Sequence, residues 1–91
     1  MITTGPKWVV VGYDANCDTT KGEVYMKESP GKLPNIEACQ KACEANSQCK
    51  SIAYFNNKKK WCSHYSTECT NTVFWNKSVA MRLVRAGNRK R

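Results

Sequence analysis

Cysteine is the residue that most constrains this chain. Six of them, at positions 17, 39, 43, 49, 62 and 69, fall within 91 residues. An even count at that density in so short a chain predicts a disulfide framework. Disulfides persist where the medium is oxidising, so the expected location is secreted or the extracellular face of the cell surface. A chain of this length forms one domain and buries limited apolar surface. Cross-links of about 2–4 kcal/mol each then supply stability that burial alone does not. Frameworks of this kind present a surface; an enzyme core is not expected.

The hydrophobic share of 41% suits one modest core and is too high for a disordered chain. No run approaches the roughly 18 apolar residues of a membrane span. The opening Met1-Ile2-Thr3-Thr4-Gly5-Pro6-Lys7 lacks the apolar stretch of a signal peptide, so a mature or excised chain is expected. Fifteen Lys and Arg against seven Asp and Glu give a net charge of +8. Such a surplus serves solubility. It also draws acidic partners: sulfated or sialylated glycans, anionic lipid surfaces, nucleic acid, or an acidic protein face.

Local patterns predict the elements. Residues 8–13 (Trp-Val-Val-Val-Gly-Tyr) are β-branched and aromatic, hence a strand, and nearly all apolar, hence covered on both faces. Residues 14–22 carry turn chemistry around Cys17, and 28–32 form a second turn. Residues 34–46 read as the one helix. Asn35 is its candidate N-cap, Glu37 suits the first turn, and Ile36, Cys39, Ala42 and Cys43 share a face. Residues 50–55 and 61–65 form a hairpin across Asn56-Asn57-Lys58-Lys59-Lys60. Residues 73–75 are apolar, residues 79–84 make a closing strand, and 86–91 form a basic tail.

Helical spacing puts Cys39 and Cys43 on one face, where a bond between them constrains little. Cys49 lies just beyond the helix and can return to Cys43. Cys62, in the second hairpin arm, is within reach of Cys39, which leaves Cys17 for Cys69. The nested set Cys39–Cys62, Cys43–Cys49 and Cys17–Cys69 is therefore favoured among the pairings that six cysteines allow.

The run Cys39-Gln-Lys-Ala-Cys43, then Cys49-Lys-Ser-Ile-Ala-Tyr-Phe-Asn, then Cys62 after a hairpin tip resembles the core of the PAN/apple domain family. Leu33-Pro34-Asn35-Ile36-Glu37-Ala38 is similar to that family's approach to its helix, and Ala80-Met81-Arg82-Leu83 to its final strand. The resemblance covers roughly residues 8–85. It implies an α+β fold, a small disulfide-rich domain with an antiparallel β-sheet packed on a single α-helix. It also implies an extracellular module that binds proteins or carbohydrates without catalysis.

Candidate chemistry is sparse. His64, the only histidine, lies close to Cys62, but zinc-finger spacing is absent and a disulfide-bonded Cys62 is no nucleophile. No metal site and no cofactor are expected. Asp14 and Asp18 sit in turn-rich sequence, where such residues serve the backbone, and no EF-type calcium pattern surrounds them. Lys58, Lys59 and Lys60 beside Trp61 are the sharpest surface feature, suited to an anionic ligand and equally to a solvated turn. Tyr54, Trp61, Tyr65 and Trp75 can stack on sugar faces, although a small core also needs aromatics. Arg82 and Arg85 extend the basic surface, as do Arg89, Lys90 and Arg91 in the tail. Asn76-Lys77-Ser78 is a glycosylation sequon.

The expectation is a binding module for an acidic glycan or acidic protein surface, with ligand contacts from Lys58, Lys59, Lys60, Trp61, Tyr65, Arg82 and Arg85. Contact with a membrane surface fits the charge; specific nucleic-acid binding does not, because no recognised motif is present. The alternative is a free-standing basic defence or toxin-like protein acting on anionic membranes.

Overall fold

A computed structural model places residues 5–85. The expected basic tail, with Arg89, Lys90 and Arg91, lies outside the described residues. Five strands and one helix follow in the order β1 (Lys7–Cys17), β2 (Gly31–Lys32), α1 (Ile36–Glu44), β3 (Ser51–Phe55), β4 (Trp61–Tyr65) and β5 (Thr72–Val84). A short 3-10 turn, Thr19–Lys21, separates β1 from β2. The strands make one sheet in the order β1-β5-β3-β4-β2, antiparallel at every neighbour.

The helix begins where its sequence says it should. Asn35 is extended, and its Oδ1 accepts the Ala38 N–H at 2.9 Å. Glu37 sits in the first turn, against the positive end of the helix dipole. Cys39 and Cys43, one turn apart, are fully buried against the sheet. The disulfides run Cys17–Cys69, Cys39–Cys62 and Cys43–Cys49, and there is no free cysteine. The second ties α1 to β4. The third closes the turn after α1, and the first joins the end of β1 to the loop before β5.

Alternation along the strands gives the sheet two apolar faces. On the helix side Ile52, Tyr54, Cys62 and Leu83 meet Met26, Cys39, Cys43 and Cys49. On the other side Ala53, Tyr65 and Ala80 meet Ala15, Cys17 and Cys69. The second face has no helix over it; the Cys17–Cys69 bond and its loops cover part of it, and what remains open is the candidate site.

Four local expectations are corrected. The first strand runs on to Cys17, because Ala15, Asn16 and Cys17 pair with Phe74, Val73 and Thr72; cross-strand pairing and the disulfide outweigh the turn propensity of Asp14 and Asn16. It is also an edge strand, not covered on both faces: Val9, Val10 and Tyr13 are exposed. Gly31 and Lys32, read as turn, pair with Cys62 and Trp61 as β2. The two apolar runs 73–75 and 79–84 belong to one strand, β5, interrupted between the pairs Ala15–Phe74 and Tyr13–Val79. There Lys77 takes a positive φ of 65°, and its N–H is held at 2.9 Å by Asp14 Oδ1.

Candidate functional site

The open part of the second face is a groove of about 900 Å3. Its floor and walls are aromatic: Tyr25, Phe55, Trp61, Tyr65 and Trp75 line it, with Asn16, Asn57, Ser63, Lys32 and Lys59 among them. The period of two explains the floor, since Trp61, Ser63 and Tyr65 alternate with Cys62 and His64, which face the helix. Phe55 at the end of β3 meets Trp75 edge-on, ring centroids 6.0 Å apart, and the β5 interruption is what carries Trp75 there. Tyr25 packs edge-on against Tyr65 at 5.7 Å, through a single bridge that anchors an otherwise irregular segment.

The Trp61 ring packs closely on Gly31. Gly31 has a φ of +82°, and a Cβ there would lie 3.2 Å from the Trp61 ring. Only glycine combines that backbone conformation with so close an approach. Lys32 stands directly across from Trp61 in the β2–β4 register, so its stem and that ring share one face. The hairpin tip brings Lys59 to the same groove. Asn57 fixes the tip by accepting the Lys59 N–H at 2.9 Å through Oδ1 and the Lys60 N–H at 3.1 Å through its carbonyl.

The residues singled out from the sequence divide. Lys59, Trp61 and Tyr65 line the groove. Lys58 is exposed but does not line it. Lys60 has a φ of 49°, and its Nζ donates to Asn56 Oδ1 at 3.3 Å. Tyr65 is buried, its phenol donates to Asn16 Oδ1 at 2.9 Å, and burial pushes its pKa up to about 12, so it belongs to the groove floor, with little of its ring exposed and no free hydroxyl. Tyr54 is in the core, donating to the Leu33 carbonyl at 2.7 Å.

Arg82 and Arg85 lie elsewhere, in a smaller cleft of about 280 Å3 with Lys50 and Glu68. The Arg85 guanidinium donates to the carbonyls of Asn46 at 2.7 Å, Cys49 at 2.8 Å, Glu44 at 3.2 Å and Cys43 at 3.4 Å. It closes the C-terminal end of α1. In the sequon Asn76 is exposed while Ser78 is fully buried.

Sequence reasoning missed Lys32, Tyr25, Phe55, Asn16 and Asn57 as groove residues. Asn57 had a signal in the tip motif. Lys32 and Tyr25 sit in stretches with no periodicity, and only the fold brings them to Trp61.

The sequence matches the family profile of the PAN domain over residues 15–84, more than half of the chain. The chain belongs to the PAN domain family. No significant match was found among curated proteins or solved structures. PAN domains are in general protein- or carbohydrate-binding modules rather than enzymes, and both the domain and the disulfide density are typical of extracellular proteins. No helix among the described residues is long and apolar enough to cross a membrane.

Proposed function

We propose that this PAN domain is a non-catalytic module, secreted or displayed on the cell surface, that takes an acidic glycan or an acidic protein segment in the aromatic groove. One observation carries the reading: Lys32 and Lys59 are the charged residues of the groove lining, and no carboxylate is among them. Both lysines are solvent-exposed, so their pull on an anion is long-range and weakens as salt is added. The exposed faces of Trp61 and Trp75 suit the apolar face of a sugar ring or an aliphatic side chain. Lys58 and Arg82 supply longer-range attraction.

A glycan array at physiological salt, with heparin retention of the wild type and two variants, tests this. Trp61→Ala and Lys32→Ala/Lys59→Ala should each weaken the best array ligand about tenfold or more, and the lysine pair should elute from heparin at lower salt. Unchanged binding in both variants would remove the groove from the reading. The membrane alternative has exposed Tyr13 and Phe74 in its favour. Leakage from anionic vesicles at micromolar protein, insensitive to the groove variants, would select it instead.

A further inference from the structure

We infer that the helix side of the core is a latent site for zinc or a similar thiophilic divalent cation, formed when the Cys39–Cys62 and Cys43–Cys49 disulfides are reduced, with His64 and three of these four cysteines as ligands. The chain spacing hides this site, because its donors come from α1, the turn after it, and β4. In the fold they converge. Cys39, Cys62 and His64 have ligand atoms all within 4.8 Å of one another, and so do Cys43, Cys49 and His64. One imidazole therefore stands beside both disulfides, and all five residues are buried.

The orientation of His64 is the second observation. Its Nε2 lies 3.2 Å from the Cys39 carbonyl oxygen, so Nε2–H donates there and Nδ1 keeps its lone pair. A histidine that ligates a metal commonly holds its other ring N–H on a carbonyl or carboxylate in this way. Thiolate and imidazole together are the donor set that tetrahedral zinc takes.

The redox step balances. A dithiol reductant delivers two electrons and two protons to each disulfide, four of each in total, and leaves as its own disulfide. The four new thiols are no longer tied in pairs, and the metal gathers them around His64 as α1 folds back onto the sheet, so binding and folding are coupled. The metal displaces the protons of the thiols it binds, and these go to solvent. Re-oxidation by a disulfide oxidant reverses the electron count and expels the ion. Cys17–Cys69 lies on the other face of the sheet and takes no part. The metal does what the two disulfides did, tying α1 to the sheet, so the domain gains a way to hold its core in a reducing medium.

Cobalt(II), a spectroscopic stand-in for zinc, added to the full chain under a phosphine reductant reads the site directly. One ion per chain, with the intense visible bands of tetrahedral thiolate coordination, is expected, and none in the oxidised protein. His64→Gln should shift those bands and weaken binding by about 10–100-fold. Cys17→Ser/Cys69→Ser and Cys39→Ser/Cys62→Ser each keep four cysteines and His64, so an unfolded chain would bind through either alike. The first should bind as the wild type does and the second at least tenfold more weakly. Equal affinities in these two variants, an indifferent His64→Gln, or no tetrahedral bands in the reduced wild type would each overturn the proposal.

Discussion

Glu23 shows how much one buried residue can organise. Its carboxylate accepts from the Thr67 hydroxyl, the Cys69 N–H at 3.0 Å, the Asn71 N–H at 2.9 Å and the Asn71 side-chain amide at 3.1 Å. That grip fixes the loop around Cys69 against the segment that carries Tyr25 into the groove. Burial pushes the Glu23 pKa up, but the bonds from Thr67, Asn71 and Cys69 outweigh it and hold the carboxyl below its ordinary 4.5. The sign follows: a depressed carboxyl stabilises the fold above pH 4.5, and that contribution is lost as pH falls through the folded value. Glu23→Gln should cost about 1–3 kcal/mol at neutral pH. The gap to wild type should narrow in acid. Asp18, held low by Thr20, and His64, held low by burial, also weaken the fold in acid, but both are common to the two proteins and cancel in the difference. Urea unfolding of both proteins across the acid range checks it. A gap that stays constant would mean the carboxylate charge is not what the loop needs.

At the level of elements, the helix was legible because its cap, its first-turn acid and its cysteine face are local signals. The strands were legible in part. Residues 51–55 and 61–65 are short runs rich in aromatic and apolar residues on either side of a tip rich in Asn and Lys. The extension of β1 to Cys17, the two residues of β2 and the single long β5 depend on partners distant in sequence, which no window of a few residues contains. The end of α1 depends on a distant partner too. Helix C-termini leave carbonyls without intrahelical partners, and here Arg85, just past β5, bonds four carbonyls of this region. Its positive charge also suits the negative end of the dipole. Arg85→Ala should lower stability by about 1–2 kcal/mol. Arg85→Lys should recover the charge but only part of the bonding, because an ammonium cannot fork between carbonyls. Denaturant midpoints of the three proteins measure this. A lysine variant equal to wild type would leave only the dipole contribution.

Across the whole molecule, the groove was half legible: Lys59, Trp61 and Tyr65 sit in one hairpin, while Lys32, Tyr25 and Trp75 arrive by topology. The same topology decides what each disulfide is worth. Chain entropy ranks them by loop, with sequence separations of 52, 23 and 6 for Cys17–Cys69, Cys39–Cys62 and Cys43–Cys49. The loop formula gives roughly 4, 3.5 and 2 kcal/mol, a spread that does not decide the outcome alone. Position in the core decides it. Cys39–Cys62 lies among Ile52, Tyr54, Leu83 and Met26, and is the only disulfide between α1 and a strand. Removing it takes away sulfur packing at fully buried sites and frees the one helix that covers that face. Cys43–Cys49 closes a turn that Arg85 and the Asn46 bonds also hold, so its loss has local substitutes. Cys39→Ala/Cys62→Ala should therefore lose cooperative unfolding, while Cys43→Ala/Cys49→Ala keeps a single transition at a lower midpoint. Far-UV and near-UV circular dichroism through a thermal ramp tells the two apart. A cooperative transition in the first variant as sharp as in the second would mean that loop entropy, and not the tie between helix and sheet, governs this fold.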